Sequence, residues 1–498
     1  MIRELETDLY DSRGYTDENA LANLMLSQPD EVSKTLTRLW SDGTFEGKFS
    51  FLAMTEGQGE IEEVNDVQYF WRVMGVMPHG DEVVYFDTAS NPTPGIAGTL
   101  IKVLFKTRWI IPQYGLIAPD GVTQVYVHGE PEYKTVNGYS GYEYTLQIKS
   151  VNSNDYIDPI NFLPGSYWIM TAPAVPESGS VGNRSNIMSP GKMYNQVSFK
   201  RYTKIIQGNT ANKVVPIKFD GENVEGGGES TLWINEEHRQ FEAWIRTMNN
   251  HDLYISEYNR LPDGRITLID QVTGKPIPIG SGVRETIRDV GNYDSYGYRL
   301  TLQKLKNTIG DIFWGETDRG RMEIVIHGGR GFLEDFHEAI MEDMKNIGGG
   351  FLTPLGEKFV NGTDGNLSYG NTFTQYKSPS GDIVTAKHDV MFDTGLLGEQ
   401  DMKNGRIHPR TGYPMSSHTG VFVDYSYYGG ERNVKLYQMK GQSNIAGIVK
   451  GLAPVPASWG VVPVNSFAND KDESSYQVKQ SRSIGIKNGK HCFILSAA

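Results

Sequence analysis

The stretch from Met322 to Asp343, MEIVIHGGRGFLEDFHEAIMED, decides how the rest of the chain is read. An apolar run, Ile324 to Ile326, leads into Gly328, Gly329 and Gly331. Leu333, Phe336, Ile340 and Met344 then recur at helical spacing. The spacing predicts a strand, a tight turn and an amphipathic helix, the order in which many phosphate sites are built. The glycines fail the corresponding tests. Counted from Gly329, the sixth position of G-x-G-x-x-G is Glu334. A P-loop needs Gly-Lys before Ser or Thr, whereas the Gly-Lys pairs here precede Phe49, Met193, Pro276 and His491. Arg330 at a helix start is unfavourable unless a carboxylate or another anion sits against it. The turn is therefore read as a packing turn, where glycine lets a strand and a helix approach closely.

Other chemical signatures fail in the same way. His337-Glu338 opens a zinc-protease pattern, but the second ligand would have to stand at Met341. NDKDESS, residues 469–475, begins like a calcium loop and places Ser475 where that loop requires glycine. There is no G-x-S-x-G elbow. The single cysteine, Cys492, lies in the apolar run HCFIL and reads as a buried thiol that can form no internal disulfide. No catalytic, cofactor-binding or metal-binding residue is assigned. With 60 acidic residues, a glycosidase-like carboxylate pair stays open on the residues alone.

The chain of 498 residues is long enough for several cores. Its net charge of −13, with no run of five or more Lys or Arg, argues against a reader of nucleic-acid sequence. No apolar run approaches a membrane span. The polar, acidic first residues are unlike a signal peptide, so a cytoplasmic setting is expected. Fifty-six glycines and 27 tyrosines suit many turns and β-rich contact surfaces.

Along the chain, a polar arm precedes a helix predicted from Pro29, with Val32, Leu36, Leu39 and Trp40 on one face. DEVVYF, TLIKVLFKTRWII, VTQVYVHG, YEYTLQIKS and YNQVSFKRYTKII read as strands. A long helix starts near Asn235, with Phe241, Trp244, Ile245, Met248 and Ile255 on a stripe, and stops by LPDG at 261–264. Tyr298, Leu302, Leu305, Ile309 and Phe313 predict a further helix. Val421, Val423, Tyr425 and Tyr427 alternate as a strand. Tyr476, Val478, Gln480, Arg482, Ile484 and Ile486 form a last long one, with Asn488-Gly489 read as a hairpin turn into HCFILS.

On INEEHRQFEAWIRTMNN, IVIHGGRGFLEDFHEAI and SSHTGVFVDYSYYGG, the chain resembles the major capsid proteins of tailed phages, and most of all those of crAss-like phages. The resemblance implies an α+β, Hong Kong ninety-seven-like fold. Its parts would be an N-terminal arm and helix (1–45) and an extended β-hairpin loop (46–218) bearing a β-rich insertion at about 115–215 on the outer face. A peripheral domain with the spine helix (219–279), an axial α/β domain (280–450) and a return to the peripheral sheet (451–498) would follow. It also implies a structural virion protein that self-assembles through homo-pentamers and homo-hexamers into an icosahedral shell. The shell would enclose DNA without sequence-specific binding, with no enzyme activity, cofactor or membrane. Auxiliary or head-fibre capsid proteins and a portal are the implied partners, and the host bacterial cytoplasm the place of assembly. No long charged helical prefix is present, as suits an uncleaved subunit. Trp71, Arg108 and Trp109, on the proposed hairpin, are candidate subunit contacts, with local β packing as the other reading. A tail, ring or baseplate protein and a carbohydrate-active enzyme are the alternatives.

Overall fold

The computed structural model describes residues 35–37, 50–57, 61–75, 77–177, 185–208, 216–220, 231–314, 323–347, 353–354, 375–377, 383–428, 430–456, 459–460 and 467–498. Two compact units share the chain, Arg72–Lys192 and the remainder on either side.

The chain opens with β1 (Thr35–Thr37), helix α1 (Phe51–Gly57), β2 (Ile61–Val64) and β3 (Gln68–Val73). The helix predicted from Pro29 is not found where it can be checked. Leu36 lies in β1, whose β-branched Thr35 and Thr37 suit an extended chain, and the rest of that prediction falls outside the described residues.

The smaller unit holds β4 (Gly80–Tyr85), β5 (Ile101–Phe105), β6 (Tyr114–Ile117), β7 (Gln124–Val136), β8 (Tyr139–Ile148) and β9 (Tyr167–Pro173). They close as an antiparallel barrel in the order β4-β5-β8-β7-β6-β9. Closure removes the sheet edges that would otherwise invite pairing with other chains. Period-two alternation fills the interior with Val103, Phe105, Val125, Val127, Leu146 and Trp168. Trp168 stacks on Phe162 at 5.2 Å and donates its indole N–H to the Asn161 carbonyl at 3.0 Å, so its one polar atom is satisfied in the core. The insertion expected at about 115–215 therefore has different bounds. β4 and β5 belong to it, whereas YNQVSFKRYTKII leaves it to pair elsewhere. Its strand pattern was legible, but its partner was not.

The chain continues through β10 (Gly191–Gln196), β11 (Ser198–Gln207), β12 (Pro216–Asp220) and β13 (Thr231–Leu232) into helix α2 (Trp233–Ile255). β1, β12 and β13 form a three-stranded sheet, and β3 pairs with β10. The 23 residues of α2 span about 34 Å. Helix α3 (Val283–Val290), β14 (Tyr293–Tyr296), helix α4 (Leu302–Phe313), β15 (Glu323–Gly328) and helix α5 (Arg330–Ile347) follow. Tyr298, expected on α4, precedes it and is exposed. Next come β16 (Thr353–Pro354), β17 (Gln375–Lys377), β18 (Ile383–His388), helix α6 (Leu396–Lys403), β19 (Thr419–Asp424) and the short pair β20 (Tyr427–Tyr428) and β21 (Glu431–Arg432). β22 (Val434–Met439), β23 (Asn444–Lys450), β24 (Glu473–Ile486) and β25 (Phe493–Ala497) complete it.

Two sheets organise the larger unit. One runs β11-β24-β22-β2, with β23 also on β24, and α2 lays Phe241 and Ile245 on Val478 of β24. The other runs β14-β25-β19-β15-β18-β17-β16 and is buried on both faces near its centre. Ile324, Ile326 and Phe422 face the core shared with α4 and α5. Val325, Val421 and Val423, one residue out of phase, face a second core with α1, the end of α2 and α3. β24 and β25 lie in different sheets, so Asn488-Gly489 is no hairpin turn. Asn488 caps a single 3-10 turn, its side chain accepting from Lys490 N, while its own N–H donates to Asn433 Oδ1. Its φ of −121° excludes the left-handed geometry a two-residue hairpin requires. The 451–498 segment thus serves both sheets, and β22, expected with the axial block, pairs with β24.

Candidate functional site

The opening glycine turn is where strand, helix and loop meet. A Cβ on Gly329 would stand 2.6 Å from Ser417 Cα and closer still to the Ser417 carbonyl. One on Gly331 would meet the His418 ring at 2.5 Å. The helix start is already occupied by an anion, because both oxygens of Asp393 accept from Arg330 N at 3.0 Å. Asp393 also accepts from Ser417 Oγ and pairs with His388, which raises the His388 pKa through that hydrogen bond. The carboxylate that makes Arg330 tolerable comes from 63 residues downstream, so no phosphate is needed there.

Behind the turn lies a buried polar clamp. Asp335 of α5, 1% exposed, accepts from His418 Nδ1 at 2.8 Å, from Tyr296 at 3.4 Å and from Arg410. With the His418 proton on Nδ1, Nε2 accepts the Thr411 hydroxyl at 2.8 Å, and Thr411 Oγ1 accepts from His408 Nδ1 at 3.2 Å. His408 stacks on His418 at 3.8 Å, and burial, aided by that neighbour, pushes its pKa down. Asp335, His418 and Thr411 share the order of a hydrolytic triad. Acyl transfer also needs room at the nucleophile and a way in for substrate. His418 is 0% exposed and pressed against Gly331, and the Thr411 hydroxyl is shared between two imidazoles. The arrangement can clamp loop 404–418 onto α5. No sequence spacing foretold it, since its members lie up to 122 residues apart.

A second buried group lies between β11 and α2. Lys204, 1% exposed, has its ammonium 3.7 Å from Glu237, beyond hydrogen-bond reach, and finds no acceptor among the described residues. Burial pushes its pKa down to about 8. An unfolded lysine titrates near 10.4, so between about pH 8 and 10 the unfolded chain binds more protons and stability rises with pH. The unfolding midpoint of the wild type is expected to climb over that window, and Lys204→Met to flatten the climb. An equal slope in both proteins would show that Lys204 is not its source.

The three contact candidates are divided between the two units. Trp71, in the larger unit, stacks on Tyr69 at 6.1 Å and donates to the Lys487 carbonyl at 3.1 Å. In the barrel unit, Trp109 donates to the Pro78 carbonyl at 2.6 Å, and the exposed Arg108 meets Glu130 at 3.1 Å. Among the described residues no group of three or more His, Cys, Asp or Glu could hold a metal ion. Among the described residues no helix is long and apolar enough to cross a membrane.

What remains is a two-sided α/β sheet, a long helix on a second sheet and an inserted barrel, with its best triad-like cluster sealed. The family model of the crassvirus major capsid protein matches residues 7–498. The chain belongs to that family. Its function is accordingly structural, the forming of a phage capsid, and its place is the virion. The α+β, Hong Kong ninety-seven-like fold class expected from the sequence is that of this capsid protein. No curated protein matches. Solved structures with some likeness include one from Mycobacterium phage Bobi, at 8% identity and TM-score 0.32, covering 79% of this chain and 88% of that one. One from Mycobacterium phage Patience has 10% identity and TM-score 0.31, covering 66% and 77%. An encapsulin complex from Synechococcus elongatus has 9% identity and TM-score 0.29, covering 62% and 76%. The assignment rests on the family match. In this capsid protein the glycine turn packs α5 against Ser417 and His418.

Proposed function

We propose that the chain is the repeating subunit of an icosahedral shell of homo-pentamers and homo-hexamers around phage DNA, and that its six-stranded barrel is a self-contained module on the outer face. The barrel's separate core carries this reading. Fifteen buried residues from Val83 to Trp168 form it, all from within the unit. The chain enters and leaves along one ribbon, β3 paired with β10, so the insertion interrupts the rest at a single place. That ribbon is the counterpart of the extended loop.

The role is non-enzymatic and needs no cofactor, in keeping with the sealed clamp. A net charge of −13 suits a wall that contains DNA without gripping it. Arg108, exposed beside Glu130, is the subunit-contact candidate, while Trp71 and Trp109 serve local packing. Auxiliary or head-fibre proteins and a portal are the further partners, and assembly takes place in the host bacterial cytoplasm. Electron cryomicroscopy of assembled particles tests the module. A barrel is expected on the outer surface, missing where residues 74–190 are replaced by a short Gly-Ser linker. A barrel facing the lumen would refute its placement.

A further inference from the structure

Between α2 and α3 the chain makes an excursion in which the sequence marked only the LPDG stop at 261–264. From Leu261 to Ile277 every residue is exposed except Ile266 and Asp270, which are half-buried. An exposed stretch of this length would ordinarily be slack, but this one is tied down. At its base, Asn259 Oδ1 accepts from Gln196 Nε2 at 2.7 Å and from Ile279 N at 3.0 Å, and Asn259 Nδ2 donates to the Ile277 carbonyl at 2.8 Å. Arg260 Nε donates to Gln196 Oε1 at 3.0 Å. Farther out, Ile277 N reaches the Leu268 carbonyl at 2.9 Å and Asp270 N the Lys275 carbonyl at 2.9 Å, the rungs of a short hairpin. At its tip the Asp270 carboxylate accepts from Val272 N and Thr273 N, both at 3.2 Å, and Gly274 takes φ +67°.

This ordered arm presents aliphatic side chains to water. Val272 at the tip is 92% exposed, Ile269 53% and Leu268 44%. Lys275 stands beside them and pairs with no carboxylate among the described residues. A pre-ordered apolar tip loses little conformational freedom on being covered.

We propose that residues 258–279 form an assembly arm, whose tip of Val272, Ile269 and Leu268 docks on a second copy of this chain in the shell. The occupant follows from the chain's function, which is to assemble with its own copies, and from charge. The arm carries Arg260, Arg265 and Lys275 against Asp263 and Asp270, a net charge of +1 that complements a partner of net charge −13. In a ring of identical subunits each contact is heterologous, so an arm on one copy meets a different surface on the next. The inference rests on the capsid-forming role.

The single cysteine makes the test clean. Cys492 is 0% exposed and burial pushes its thiol up to about 12, so V272C carries one reactive thiol. Maleimide labelling of V272C is expected to slow by roughly tenfold or more between free subunits and shells, as the thiol passes from water to an interface. Benzophenone maleimide attached to V272C before assembly should give covalent chain dimers on illumination of shells and none from free subunits. V272D, at a side chain with no core contact, should stay folded by circular dichroism and close fewer shells. Equal labelling rates in shells and subunits, with no dimers, would overturn the arm. A wild-type chain that forms no particle under any condition would count against the capsid-forming role, and the arm would fall with it.

Discussion

Asp335→Ala is expected to destabilise the larger unit by about 2–3 kcal/mol, the cost of leaving a buried hydrogen-bond donor without its acceptor. Asp335 accepts from His418, Tyr296 and Arg410 and is 1% exposed. Truncation strands the buried His418 N–H with no acceptor and removes the carboxylate tying Arg410 to α5. Glu338, at 3.3 Å from Arg410 and half exposed, replaces little of it. Loop 404–418 then loses its clamp, and soluble chain should close few shells. Asp335→Asn keeps one acceptor oxygen and should cost less. Denaturant unfolding of both variants checks the order. A midpoint for Asp335→Ala within about 1 kcal/mol of wild type, the scale of one ordinary hydrogen bond, would show that the clamp is idle.

Gly329→Ala is expected to cost about 3 kcal/mol or somewhat more, the upper range for overpacking. The added methyl meets Ser417 backbone, with Asp393 Oδ1 2.9 Å away. Backbone cannot swing aside as a flexible side chain does, so α5 must lift off the loop and loosen Phe332 and Phe336 beneath it. Gly310→Ala supplies the contrast. Its methyl would enter open space on helix α4, where alanine gains about 1 kcal/mol over glycine. Opposite signs at the two sites would show that the turn is kept glycine by packing. Equal, small effects would reopen a ligand-based reason.

Local pattern carried much of the fold. The stripe Phe241, Ile245 and the run Val421, Val423 announced their elements because burial on one face, or on alternate faces, writes a period into the chain. Pairing is not written there. YNQVSFKRYTKII shows the same alternation whether it closes a barrel or joins β24, and only long-range register decides. Asn488-Gly489 carries a hairpin signal, yet Asn433 captures its backbone and the chain crosses to another sheet. Leu36 looked helical beside Val32 and Leu39, and pairing with Phe219 drew it into a strand. The site was less legible still. Arg330 called for an anion, but nothing marked Asp393 as its source, and Asp335, His408, Arg410 and His418 meet only once the fold exists.

The most direct measurement is negative-stain microscopy of the purified full chain, with sedimentation over a range of concentrations. Closed shells, or pentamers and hexamers that feed them as concentration rises, are the expected result for this capsid protein. A small ring or trimer of fixed stoichiometry at every concentration, never closing into a shell, would contradict it.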